Sequence, residues 1–366
     1  MISTSSRLPS RVRVLVLFAA VALPIACNVF VTIGRCESDG DCPGGTCDPQ
    51  GKYCVKNGTD AGDAEAGGDG PLDSPVDAFD AGPCNLSAPF GTPALVKGFE
   101  NSAVFSARFS ATENTVLLSI LEPDGGTPDL YSAVRADPTA AFPDSGPTRL
   151  ETLSELGTSE YWPTIAPTGE FIFFESDRSA SKDGGAYGVE LPRIWYAKKG
   201  PAEKFDTPEL QSLFKTTGST IEGAPYLHPD GTALYFVSGG RGDANNNLDL
   251  YVSTLGDFNL AQTPEPLEKV NTVAAENHPV VSLDNKTLFF SREDMDSIPH
   301  IFMATRAKPT DDFDNAQEVG ELNTKETREY PSWLSNDSCR LYFVRAPRNA
   351  GADFSGFRIY VASRPK

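Results

Sequence analysis

Residues 225–253 decide how this chain reads. They run Pro225-Tyr226-Leu227-His228-Pro229-Asp230-Gly231, then Leu234-Tyr235-Phe236-Val237, then Leu250-Tyr251-Val252-Ser253. Asp-Gly after a short apolar run is a hairpin signal, because both residues tolerate the tight turn. The two following runs are aromatic and aliphatic, which suits pleated, buried strands. Three short strands in about thirty residues leave no room for a helix.

The same three lines recur along the chain. The Tyr251 line has copies at Leu130-Tyr131-Ser132-Ala133, Ile194-Trp195-Tyr196-Ala197, Ile301-Phe302-Met303-Ala304 and Ile359-Tyr360-Val361-Ala362. The Tyr235 line has copies at Val116-Leu117-Leu118-Ser119, Ile172-Phe173-Phe174-Glu175, Leu288-Phe289-Phe290-Ser291 and Leu341-Tyr342-Phe343-Val344. Turn-ending lines precede them, as at Pro163–Gly169 and Pro279–Asn285. A fourth line opens at Phe90, Phe142, Phe205, Phe258 and Phe313. The period is about 55 residues, the length of one four-stranded unit, here lettered a, b, c and d.

Four antiparallel strands per repeat describe a propeller blade. The repeat resembles the WD40-like Pro-Asp repeat of the TolB propeller and of many bacterial envelope proteins, with Pro229-Asp230-Gly231 its nearest copy. The resemblance covers residues 90–366 and implies an all-β β-propeller. Five a-b-c triplets are present, and the first d line precedes the first triplet. A five-bladed ring closed by that N-terminal strand follows, with six blades, the usual TolB number, as the alternative. Closure of this kind leaves no exposed sheet edge.

Composition limits the partners. The 366 residues carry 31 Lys and Arg against 50 Asp and Glu, a net charge of −19. Nucleic acid and an electrostatic hold on anionic lipid are thereby disfavoured, since both need clustered positive charge.

Residues 1–26 read as a lipoprotein signal peptide. Arg7, Arg11 and Arg13 precede an apolar run ending in Leu23-Pro24-Ile25-Ala26-Cys27. That ending resembles a bacterial lipobox, although Pro24 takes the usual Leu place. Cys27 is then the lipidated residue; the alternative is an ordinary cleaved or retained signal. The resemblance implies a chain exported and lipid-anchored to the cell envelope, and Asn28, which carries no inner-membrane retention signal, points to the outer membrane.

Seven cysteines are present, and lipid on Cys27 leaves six to pair. Cys36, Cys42, Cys47 and Cys54 fall in residues 27–55, a small module too poor in apolar residues to hold itself without cross-links. Two disulfides are expected there, with a four-Cys zinc site as the rival. Residues 56–83 are an acidic Gly/Asp/Ala/Pro linker, expected to be disordered. Cys84 and Cys339 remain in the propeller, residues 84–366. The closure model puts both on one face of the last blade, so a staple across the seam is expected.

The strongest polar pattern opens the a strands. Glu160, Glu222 and Glu276 stand three residues before an aligned Pro, and Glu329 fills the last copy. Innermost strands would bring these carboxylates to one mouth of the channel, where converging acids suit cation binding or acid–base work. Arg178, Arg241, Arg292 and Arg345 recur after the b lines, so each acid has a periodic partner. A structural Glu–Arg set is the preferred reading. Asp243, Asn245, Asn247 and Asp249 alternate oxygen ligands like a calcium loop, but the expected Gly and bidentate Glu are missing. No cofactor beyond this calcium candidate is implied. Tyr161, Trp162, Tyr330 and Trp333 add aromatics around the a strands, for core packing or for stacking on sugar or peptide. His228, His278 and His300 hold three different repeat positions and imply no shared site. No nucleophile elbow or phosphate loop is found.

The expectation is a binding or scaffolding module and not an enzyme, meeting an envelope protein or a cell-wall component. The alternative is a glycan-active five-bladed propeller using Glu160, Glu222 or Glu276.

Overall fold

The computed structural model describes residues 45–47, 54–56, 84–121, 126–183, 186–200, 204–211, 220–240, 247–256, 260–261, 263–350 and 356–366. No α-helix occurs among them.

Five antiparallel blades are formed. Blade 1 has strands Ala103–Phe109, Thr115–Leu121, Pro128–Val134 and Thr148–Arg149. Blade 2 has Glu160–Ile165, Phe171–Asp183, Ala186–Lys198 and Glu209–Leu210. Blade 3 has Ile221–Leu227, Ala233–Gly239, Leu248–Gly256 and Glu265–Pro266. Blade 4 has Glu276–Val281, Thr287–Glu293, Pro299–Thr305 and Asp314–Glu318. Blade 5 has Thr327–Leu334, Arg340–Pro347 and Arg358–Ser363, and its fourth strand is Ala94–Leu95 from the N-terminal side. The N-terminal strand closure holds, and the six-bladed alternative does not. One d line differs from expectation. The line opening at Phe258 gives Leu260–Ala261, which pairs only with the end of strand c, and the d pairing is made further on, by Glu265 and Pro266.

Strand a of each blade contacts strand a of the next, and that of blade 5 contacts blade 1. The a strands are therefore innermost. The repeated b lines supply the packing between blades: Ile172, Phe174, Leu234, Phe236, Leu288, Phe290, Leu341 and Phe343 have no solvent exposure. Each such side chain contributes roughly 1.5–3 kcal/mol by burial, which explains why the pattern repeats.

The ring closes between blades 5 and 1. Ser332 Oγ donates to the Ala107 carbonyl and accepts from the Ala107 amide, both at 2.8 Å. Arg340 pairs with Glu113 of blade 1, to which the Tyr342 hydroxyl also donates. Within blade 5 a disulfide joins Cys84 to Cys339, with Cα atoms 5.7 Å apart. It fastens the segment leading to the N-terminal strand onto the a–b turn.

A separate two-stranded hairpin, Gly45–Cys47 with Cys54–Lys56, sets Cys47 opposite Cys54 in its backbone register. Cys27, Cys36 and Cys42 lie outside the described residues, as do most of the signal, module and linker segments.

Candidate functional site at the channel mouth

The a strands share a local irregularity. In blades 2, 3 and 4 the a–b register slips by one residue after Tyr161, Gly223 and Asn277. The next residue takes a left-handed backbone in each: Trp162 at φ 52°, Ala224 at φ 44° and His278 at φ 57°. Such bulges re-aim side chains, and non-glycine residues held at positive φ concentrate at functional sites.

Rings gather at this end of the channel. Tyr161 packs on Phe105 (5.5 Å between ring centroids), Phe105 on Phe357 (4.8 Å) and Phe357 on Tyr330 (6.0 Å). Tyr330 meets His278 at 5.0 Å, and His278 meets Trp162 at 4.1 Å. Six rings from four a strands and the approach to one c strand thus form a continuous chain of contacts. Phe105, Tyr161, Trp162, Tyr330, Phe357 and Glu175 line a cavity of about 230 Å³. A smaller cavity of about 120 Å³ lies beside His278 and Tyr330.

Glu175 is the one acid of the larger cavity. Its Oε2 accepts from the Ala224 amide at 2.8 Å. A side chain at position 223 would collide with that carboxylate, which explains Gly223 there. Among the described residues no cation pairs with Glu175. Burial, reinforced by nearby Asp177, pushes its carboxyl up to about 7 against the pull of the Ala224 amide. His278 is pushed down to about 3 by burial and by Arg108, so its imidazole is neutral. The nitrogen Nδ1 lies 2.8 Å from Ser291 Oγ.

Arg108 lies below the rings, its guanidinium 5.1 Å from the Tyr226 ring and 5.8 Å from that of Trp162. Burial lowers its pKa to about 10, so it stays charged at neutral pH.

The acids flagged by the sequence have another fate. Glu160, Glu276 and Glu329 have no exposure, and Glu222 has 2%. Arg178 Nη2 lies 2.8 Å from Glu160, Arg292 Nε 2.7 Å from Glu276 and Arg345 Nε 3.2 Å from Glu329. These Arg lie inside strand b and not beyond it. Each also donates through Nη2 to a carbonyl of the preceding d–a connection: Leu153 (2.5 Å), Val270 (2.7 Å) and Leu322 (2.6 Å). Each guanidinium lies over one b-strand and one c-strand ring, namely Phe174 and Trp195, Phe290 and Phe302, or Phe343 and Tyr360. The periodic aromatics are therefore ledges for the periodic Arg. Burial raises the Glu160 carboxyl to about 7 against the pull of Arg178, and burial also raises Glu329.

Arg241, Asp243 and Asn245 lie outside the described residues. Asn247 donates to the Val273 carbonyl, and Asp249 is buried on strand c. Among the described residues no group of three or more His, Cys, Asp or Glu is placed to hold a metal ion. His228 touches Ser282 and Asp230, and His300 touches Glu329, so the three His are not brought together. Sequence reasoning missed Glu175 and Arg108. The repeat carried a signal for Glu175, since blades 3, 4 and 5 have Val237, Ser291 and Val344 at its place.

No protein-family model and no curated protein matches the sequence. Solved structures that are similar include TolB from Acinetobacter baumannii, at 13% identity and a TM-score of 0.44. That match covers 76% of this chain and 65% of the other, less than two thirds of its length. The catalytic domain of the Coprinopsis cinerea GH62 α-L-arabinofuranosidase is 10% identical, with a TM-score of 0.44 and coverage of 76% and 97%. A thermostable family-43 glycoside hydrolase is 12% identical, with a TM-score of 0.42 and coverage of 75% and 91%. The expectation that the chain is not an enzyme is corrected here. Propellers similar to it include glycoside hydrolases, so the architecture gives no ground for excluding catalysis. The likenesses otherwise assign no activity, and what these proteins share with this chain is a propeller.

Proposed function

We propose that the chain is an exported, lipid-anchored envelope lipoprotein of the WD40-like Pro-Asp repeat type. Its propeller acts as a binding or scaffolding module for an envelope protein or cell-wall component. The binding surface is the aromatic mouth. The observation that carries this reading is the contrast between two sets of residues at one end of the channel. Glu160, Glu276 and Glu329 are consumed by Arg clamps, whereas Tyr161, Tyr330 and Glu175 stay half-exposed around a cavity. Strained backbone at Trp162, Ala224 and His278 supports a role beyond packing.

The test is capture of envelope material by the full chain and by its Tyr161→Ala/Tyr330→Ala variant. Loss of the captured partner with a retained cooperative unfolding transition supports the reading. Equal capture by both proteins refutes it.

A further inference from the structure

We propose that the mouth cavity takes the ammonium end of a lysine side chain from a protein partner, held over the Tyr161, Trp162 and Tyr330 rings against the Glu175 carboxylate. This rests on the mouth being the binding surface, and it adds the chemistry of what binds there.

Three observations converge. The cavity walls are ring faces and edges, which attract cations through their quadrupoles, most strongly when water is excluded. The single acid in the wall has no cation among the described residues, and the charge that acts on it is another acid, Asp177. A volume of about 230 Å³ admits an aliphatic stem and its head group but no folded element. The body around it, residues 84–366, is acidic, with 25 Lys and Arg against 39 Asp and Glu, which favours a basic partner. Arg108 does not reverse this local balance. It lies under Trp162 on the His278 side, and the groups acting on Glu175 are the Ala224 amide and Asp177.

Lysine fits this wall better than a carbohydrate. A sugar stacks on an aromatic face but needs several hydroxyl partners around it. Here the charged lining is one carboxylate with one oxygen already engaged, and the Tyr161 and Tyr330 hydroxyls are taken up by Ser159 and Arg328.

The experiment is a titration of the full chain with Nα-acetyl-lysine methylamide, followed by the indole N–H signals of its tryptophans. Trp162→Phe assigns the reporter. Nα-acetyl-norleucine methylamide is the uncharged match in shape, and choline and a neutral xylotrisaccharide are the other arms. The expected result is a shift of the Trp162 signal with the lysine derivative, binding about tenfold tighter than the norleucine derivative. Glu175→Gln should weaken it about tenfold. Glu276→Gln, which lies in a clamp outside the cavity, should leave it unchanged. Equal binding of the two derivatives, or unchanged binding in Glu175→Gln, overturns the proposal. Preference for choline would replace lysine as the source. A Trp162 shift with the trisaccharide alone would keep the mouth as a binding surface and reject a cationic ligand. No response to any probe rejects the lysine site, while partner capture by the full chain still judges the binding reading separately.

Discussion

Arg292 donates through Nε to the Glu276 carboxylate and through Nη2 to the Val270 carbonyl, both at 2.7 Å. One guanidinium thereby ties strands a and b of blade 4 to the connection arriving from blade 3. Glu276 is also held by the Thr272 hydroxyl at 2.6 Å and amide at 3.0 Å. Glu276→Gln would leave Arg292 partly buried without its carboxylate. Breaking such a pair should cost about 2–3 kcal/mol, less than for a fully buried pair because Arg292 keeps some exposure. A urea midpoint unchanged from wild type would remove the clamp.

Much of this was readable in advance because the repeat is energetic. A buried aromatic in strand b and a ring in strand c are needed in every blade, so they recur and can be counted. The N-terminal closing strand was legible for the same reason, as Ala94-Leu95-Val96 sits one line ahead of the first triplet. The mouth was legible only in its aromatics Tyr161, Trp162 and Tyr330, and Glu175 and Arg108 were passed over because they do not repeat. Tyr161, Gly223, Asn277 and Tyr330 hold equivalent register positions with three different residue types. Function at a propeller axis comes from such breaks in symmetry, and a search for periodicity passes over them. The bulge geometry at Trp162, Ala224 and His278 was likewise invisible, since Trp and Ala do not favour positive φ and His does so only modestly.

The seam disulfide should be measurable as stability. Cys84 and Cys339 close a separation of 255 residues, for which the chain-entropy model gives about 5 kcal/mol, with measured values usually lower. A Cys84→Ala/Cys339→Ala variant should unfold at clearly lower urea. A non-reducing peptide map should recover the two peptides joined. Free alkylation of both thiols without reductant would contradict the staple.

Acid and base should act on the mouth in opposite directions. The Glu175 carboxyl sits near 7 in the folded chain against an ordinary 4.5, so the folded state binds its proton more tightly. Its contribution is complete below about pH 4.5 and is lost as the pH rises to about 7. Glu175→Gln should therefore be more stable than wild type at pH 8, by about 1–2 kcal/mol after allowing for its partial exposure. His278 sits near 3 against 6.5, so the unfolded chain takes its proton first. That contribution is complete above pH 6.5 and is lost as the pH falls towards 3. His278→Asn, which tolerates the left-handed backbone, should flatten this slope. Urea midpoints from pH 4 to 8 that run parallel for wild type and both variants would contradict these assignments.

The anchor has its own check. Labelled fatty acid should enter the wild-type chain and be absent from Cys27→Ser. Incorporation that survives the substitution would reject lipidation at that residue.

The central claim is that the partner meets the aromatic rings at the mouth and not the opposite face of the propeller. Photo-crosslinking from single positions in the full chain tests this most directly. A crosslinking residue placed at Tyr161 or Tyr330 should give a covalent partner adduct. One placed at Asp284, an exposed a–b turn residue at the far end of blade 4, should give none. An adduct at Asp284 with none at Tyr161 or Tyr330 would contradict the account.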